Sequence, residues 1–474
     1  MSTIKEQLLK LDAAELEERK ASLRDFLFYH GECDDKEVAQ TNADLLGQNW
    51  ITIDDLDYVP SQIIDNKIKP LINKQARFMF SRKPDIFLKA YDNANADAVH
   101  ELNQYINMIL DANKFWSETM KAFRLATVTK RVMLRLEANP NMPVRLYWHG
   151  INDFTYEVDP NDPSNLTKVI LVKQDPNTMG KILEHQRWFR YTYFIEGGQC
   201  NLMTEVFNGN QLDSPIESKT ILTKLTRIPC WVVCNEQSIG ESHGVSDLKD
   251  LRPLQDQYNR KLSDFSDALR FNMFGQDVFI DATAETVNNV KVAPNSVVAL
   301  VSLDDKKADY KKVENTFSNA TPVKMFLDTL NDSMYEKLAI PKPEEMRTIV
   351  SGKAFKYMFT ELMARCDEKW IDWEPVFVQL VQMIVESCSK FNCYGDWQKE
   401  WGSLSYNVII KRNYPIPEDV EDKKRLAMEE VSANVRSRRS YIKEFSDDET
   451  YEALFTEVCE DLAKITAAEN ELFN

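Results

Sequence analysis

Apolar positions along the chain recur mostly at three- and four-residue steps, and a central region breaks that rhythm with alternation. Residues 1–45 read as helix, with Leu8, Leu9, Leu11, Leu16, Leu23, Phe26 and Phe28 forming a stripe among many charges. Residues 60–83 form a second amphipathic stretch on Ile63, Ile64, Ile68, Leu71, Ile72, Ala76, Phe78 and Met79, with Pro70 as a candidate kink and Ser81-Arg82-Lys83-Pro84 as its stop. Residues 97–128 predict a helix pair broken near Asn113-Lys114. From Val132 to Cys234 the pattern alternates, with runs such as Val169-Ile170-Leu171-Val172 between turn signals such as Asn208-Gly209-Asn210. This predicts an antiparallel β-region on a helical base, an α+β domain.

Helical spacing returns at 246–271, where Ser246 is the expected N-cap and Leu248, Leu251, Tyr258, Leu262, Phe265 and Leu269 the apolar stripe. Pro253 should kink this helix or delay its regular part. At 1.5 Å per residue the run reaches on the order of 35–40 Å. A strand-rich excursion from about 277 to 319 follows. Thr321 and Pro322 then open a second helix as N-cap and first helical residue, with Val323, Phe326, Leu327, Leu330, Met334 and Leu338 as its stripe. After the loop Pro341-Lys342-Pro343, Ser351-Gly352-Lys353-Ala354 opens the longest helix, which Pro375 should bend. A strand at 405–411 is expected to return to the β-region, and charged helix pairs fill the chain from about Glu418. Two helices carrying a small β-module out and back suggest a stalk with a tip.

Composition narrows the function. Hydrophobic residues make up 43% of the 474 positions, enough for two or three modules with real cores. The net charge of −17 argues against a surface that grips nucleic acid everywhere, yet suits a wall past which DNA slides. No apolar run of about 18 residues exists and the N-terminus lacks a signal core, so a soluble protein without a membrane span is expected. Eight cysteines without a Cys-x-x-Cys pair read as reduced, mostly buried thiols, and Cys230 and Cys234 would share one strand face.

Candidate chemistry is sparse. None of the five histidines has a metal-ligand partner at helical spacing, and His243 reads as a solvated or capping residue in a turn. Gly352-Lys353 lacks the upstream glycine and the following Ser or Thr of a phosphate-binding loop. The acidic pairs Asp54-Asp55, Asp304-Asp305 and Asp447-Asp448 read as solvated faces or helix N-terminal charges. Arg436-Ser437-Arg438-Arg439 reads as a cluster paired with neighbouring acids such as Glu429 and Glu430. No catalytic residue, metal ligand or cofactor site is expected.

The order of several phrases resembles one family. They are Asn66-Lys67-Ile68-Lys69 leading to Phe80-Ser81-Arg82-Lys83-Pro84, Gly244-Val245-Ser246-Asp247-Leu248 with Leu254-Gln255-Asp256-Gln257-Tyr258-Asn259, Val350-Ser351-Gly352-Lys353-Ala354-Phe355-Lys356-Tyr357-Met358, and Ser440-Tyr441-Ile442-Lys443-Glu444-Phe445. The chain resembles the portal proteins of tailed bacteriophages, of the long-tailed type that infects Gram-positive bacteria. The resemblance implies a ring of about twelve copies at one capsid vertex, through which double-stranded DNA is packaged and ejected. It implies a portal fold, with a mixed helix/strand wing (1–245 and 353–415), two stem helices (246–271 and 321–338), a small β-rich clip (272–320), a tunnel loop (339–352) and a helical crown (416–474). In the tunnel loop Lys342, Arg347 and Lys353 are the implied DNA contacts, with Lys342 held extended by its flanking prolines. The implied partners are the terminase motor, a head–tail adaptor, the major capsid protein and a scaffold protein, with assembly in the host cytoplasm. A metal-dependent DNA-processing enzyme and a non-portal virion scaffold or adaptor are the alternatives at this stage.

Overall fold

The computed structural model describes residues 3–31, 60–239, 241, 243–273, 276–281, 309–313, 320–347, 352–416, 420–446 and 451–472. The three acidic pairs named above lie outside them, as do Cys33 and most of the tip excursion. The chain divides into two compact units, Met1–Lys342 with Glu361–Tyr414, and Pro343–Thr360 with Pro415–Asn474.

The first unit begins with α1 (Ile4–Leu9) and α2 (Ala13–His30). Thr3 and Glu6 form a capping box on α1, and Asp12 caps α2 by accepting from the Glu15 N–H. Helices α3 (Ile68–Phe80), α4 (Ala96–Ala112) and α5 (Phe115–Thr129) follow. The expected break between the last two is real, and Lys114 makes it in the left-handed region at φ 50°. Strand β1 (Asp85–Ala90) lies between α3 and α4. Pro70 stands in the first turn of α3, where its missing N–H is tolerated.

The alternating region is antiparallel, as its pattern predicts. Strands β2 (Arg131–Asn139), β3 (Met142–Gly150) and β9 (Cys230–Cys234) form one sheet in the order β3-β2-β9. Strands β4 (Phe154–Val158), β5 (Leu166–Gln174), β6 (Arg187–Glu196), β7 (Gln199–Asn208) and β8 (Glu217–Leu222) form a five-stranded meander. Leu8 and Leu9 of α1 bury against Ile170, Val172, Trp188 and Phe207 of that meander.

Helix α6 (Leu248–Met273) leads to β10 (Gln276–Ile280), which pairs antiparallel with β11 (Asp309–Val313), and α7 (Ala320–Lys337) returns against α6. Both helices are shifted from expectation. Thr321 and Pro322 fall inside the first turn of α7 instead of capping it. Pro253 lies inside a continuous α6. Helix α10 (Thr360–Phe391) spans 32 residues through Pro375. Its Trp370, Trp373 and Phe377 join Phe80, Phe115, Trp116, Phe123 and Trp148 in an aromatic core with ring centroids 5.1–6.4 Å apart. Strand β12 (Tyr406–Lys411) pairs with β1, not with the 132–234 sheets as expected. The alternation at 405–411 reveals a strand but carries no information on which edge it takes.

The second unit holds α8 (Pro343–Arg347), α9 (Gly352–Met358), α11 (Val420–Ser432), α12 (Arg438–Phe445) and α13 (Tyr451–Leu472). The expected single long helix from Ser351 is thus two, parted at Phe359. Ser437 caps α12, and Arg436 pairs with Glu430 and Glu444 while Arg439 reaches Glu452. Arg436 and Arg439 of the basic cluster are thus paired with acids, as its composition suggests, although Glu444 and Glu452 come from further along the chain.

Candidate functional site

The phrase Gly244-Val245-Ser246-Asp247-Leu248 is the joint where α6 leaves the body of the first unit. A Cβ on Gly244 would lie 2.2 Å from the backbone oxygen of Asn235 and 2.6 Å from its nitrogen, so only glycine fits there. Val245 donates its N–H to Asn235 O at 2.8 Å, and Ser246 Oγ donates to Val128 O at 2.7 Å while accepting the Leu248 N–H. Leu248 and Leu251 are fully buried.

Asp247 is the centre of a buried ionic cluster. Lys369 Nζ of α10 has three acceptors, Asn235 Oδ1 at 2.7 Å, Asp247 Oδ1 at 3.0 Å and Glu236 Oε1 at 3.0 Å. Arg365 reaches Asp247 Oδ2 at 2.9 Å and Glu236 Oε1 at 2.8 Å. Burial disfavours the Asp247 carboxylate, but Lys369 and Arg365 more than offset it and hold its pKa below the usual range. The cluster ties the root of α6 to α10.

Glu18 of α2 faces His243 Nδ1 at 3.0 Å, Arg131 Nη1 at 2.8 Å and Lys130 Nζ at 3.5 Å. Burial again works against the charge, yet the His243 hydrogen bond and the Arg131 guanidinium bring the Glu18 carboxyl down to about 2. His243 is therefore a half-buried partner of the Glu18 carboxylate, where a solvated or capping turn residue is expected. A cleft of about 640 Å³ opens beside it, lined by Glu18, Asp25, Lys130, His243, Lys249 and Arg252, with Arg252 paired to Asp25.

Along α6 the buried face is polar. Gln255, Asn259, Ser263 and Asp267 succeed one another at four-residue steps and are each at most 8% exposed. They accept the N–H groups of Lys67, Asp65, Ile63 and Ser61 at 2.9–3.2 Å. Residues 60–67 thus form no helix, where one is expected; alternate N–H groups of an extended chain are spaced ~6.6 Å apart, close to the ~6 Å of a four-residue step along a helix. The predicted apolar stripe survives only at Leu248 and Leu251; Leu262 and Phe265 are half-buried and Leu269 is exposed. Two phrases quoted separately from the sequence, Asn66-Lys67-Ile68-Lys69 and Leu254-Gln255-Asp256-Gln257-Tyr258-Asn259, prove to be one interface. Asn66 also accepts from the N–H groups of Ile68 and Lys69 to start α3.

Of the three predicted DNA contacts, Lys342 ends the first unit. Its Nζ lies 3.0 Å from Asp332 Oδ2 and 3.7 Å from Glu336 Oε1, and its side chain is 22% exposed. The prolines beside it do not project the ammonium freely: it folds back on α7. Arg347 is the exposed last residue of α8, and Lys353 is the second residue of α9, both in the second unit. The loop they were expected to share contains the helical turn Pro343–Arg347, with Glu344 and Glu345 in it. Sequence reasoning missed Asp247, Lys369, Arg365 and the polar ladder; the only signal was the four-residue recurrence of polar residues in α6, which also describes a solvated face. Among the described residues no group of His, Cys, Asp and Glu could hold a metal ion, and no helix is long and apolar enough to cross a membrane.

Comparison with protein families places this chain among the phage portal proteins. The matching family is described as phage portal protein, SPP1 Gp6-like; the match covers residues 11–472, and the chain belongs to that family. It is a structural virion component that works in DNA packaging at the capsid, in dealings with capsid, DNA and terminase. The match lends no support to the metal-dependent enzyme or the non-portal scaffold. No individual curated protein matches the chain.

Proposed function

We propose that about twelve copies close into a ring whose α6–α7 pairs surround a DNA channel. The observation that supports this best is the run from α6 through the β10–β11 pair to α7. A 26-residue helix is ~39 Å long, and α7 leaves Met325 and Phe326 exposed at 65% and 46%. A neighbouring copy would cover such residues.

In this reading 1–245 and 353–415 are the wing, α6 and α7 the stem, 272–320 the clip, 339–352 the tunnel loop and 416–474 the crown. The clip is the docking point for the terminase motor and later for a head–tail adaptor, because a distal tip is where partners reach. The major capsid protein and a scaffold protein meet the ring during assembly in the host cytoplasm. Lys342, Arg347 and Lys353 touch the DNA backbone, without sequence preference and with strong salt dependence. The chain itself has neither ATPase nor nuclease activity. Imaging of the purified protein in negative stain tests the reading: rings with a central hole are expected, and compact single particles would overturn it.

A further inference from the structure

We propose that Asp332 and Glu336 are an acidic latch on Lys342, which DNA phosphates must displace before that lysine can hold the genome. The inference rests on the reading that 339–352 lines the channel, and it names what sets the strength of the grip there. Asp332 and Glu336 stand four residues apart, one turn of α7, and so present two carboxylates on one face. Lys342 Nζ lies 3.0 Å from the first and 3.7 Å from the second.

The backbone beneath is held by its own hydrogen bonds and buried neighbours. Ala339 turns at φ 52° and donates to Glu336 O at 3.0 Å, and Ile340 donates to Tyr335 O at 3.0 Å. Leu338 and Ile340 are buried at 1% and 6% exposure. Lys342 can leave the two carboxylates by rotation of its four-carbon stem, without a change in the backbone. The acids are 46% and 72% exposed, and an ion pair so open to water is weak enough for a phosphate to replace.

The arithmetic of charge makes the device conditional. Latched, the three side chains sum to one negative charge, and the locus repels phosphate. A duplex pressed close offers an alternative anion, and the lysine can move over. The grip then exists only where DNA is already near, and it is weak because two carboxylates compete for the same ammonium.

The test is a double-mutant cycle on assembled rings of the full chain, reading affinity for a fluescently labelled linear duplex at two salt concentrations. D332N/E336Q should bind about tenfold tighter at low salt, with a salt dependence steeper by about one phosphate contact. The same pair in a K342Q background should give no gain. An equal gain in both backgrounds would mean a general charge effect and would overturn the latch. If K342Q alone weakens binding while D332N/E336Q changes nothing, the latch fails and the channel reading stands. If K342Q has no effect in any background, the channel reading fails and takes the latch with it. Should the double variant not assemble, D332N and E336Q are read singly, each with a smaller gain that K342Q again abolishes.

Discussion

Asp267, near the end of α6, receives both the N–H of Ser61 at 2.9 Å and its hydroxyl at 2.6 Å, although 206 positions separate them. This is the outermost rung of the ladder that fastens residues 60–67 to the helix. Each rung contributes about 1 kcal/mol net. In D267A or N259L, amide exchange at residues 61–67 should accelerate several-fold while α3 stays protected. Unchanged exchange across 61–67 would show that something other than the ladder holds the segment.

The joint at Asp247 predicts asymmetric mutational costs. K369M leaves Asp247 buried with Arg365 and Asn235 as its remaining partners, and should cost about 3–5 kcal/mol. D247N/K369M removes both charges and should recover a large part of that loss. Denaturant unfolding of the two variants is the check. A double variant no more stable than K369M would mean that the cluster's charges do not depend on one another.

Gly244 carries a separate prediction. G244A drives a Cβ into the backbone of Asn235, for which no rotamer change makes room, and should destabilise the chain by about 3 kcal/mol. A melting temperature within a degree of the parent would contradict the close approach described here.

Much of this was legible in the sequence, and the reasons are specific. Periodicity placed a helix break near Asn113-Lys114, and alternation between turn signals placed an antiparallel β-region between Val132 and Cys234. It failed for residues 60–67, whose Ile63 and Ile64 sit at helical spacing while their backbone is claimed by Gln255 to Asp267, nearly 200 positions away. It failed at 405–411 for the same kind of reason, since the choice of β1 as partner is tertiary. For the DNA-contact candidates, composition supplied Lys342 but not Asp332 and Glu336, which precede it on another element.

His149 predicts how the fold responds to acid. It is buried in β3, its Nε2 has no hydrogen-bond partner, and burial together with Lys173 and Arg135 pushes its pKa down from 6.5 to about 2. The unfolded chain takes up this proton below pH 6.5 and the folded chain does not. Stability from the neutral ring is therefore complete above that pH and falls by up to about 1.4 kcal/mol per pH unit below it. Glu18, with its folded pKa near 2, adds a loss of the same sign that begins lower, below about 4.5. H149F should flatten the pH dependence between 6.5 and 4.5 and leave the steeper loss beneath it. An unchanged profile between pH 6.5 and 4.5 would show that His149 is protonated in the folded state.

Ring closure is tested by the mass of the native particle in solution, measured at micromolar concentration. A closed assembly near twelve times 55.0 kDa is expected, with the ring count read directly from the mass. A stable 55.0 kDa monomer under those conditions, and in the particle recovered from virions, would contradict it.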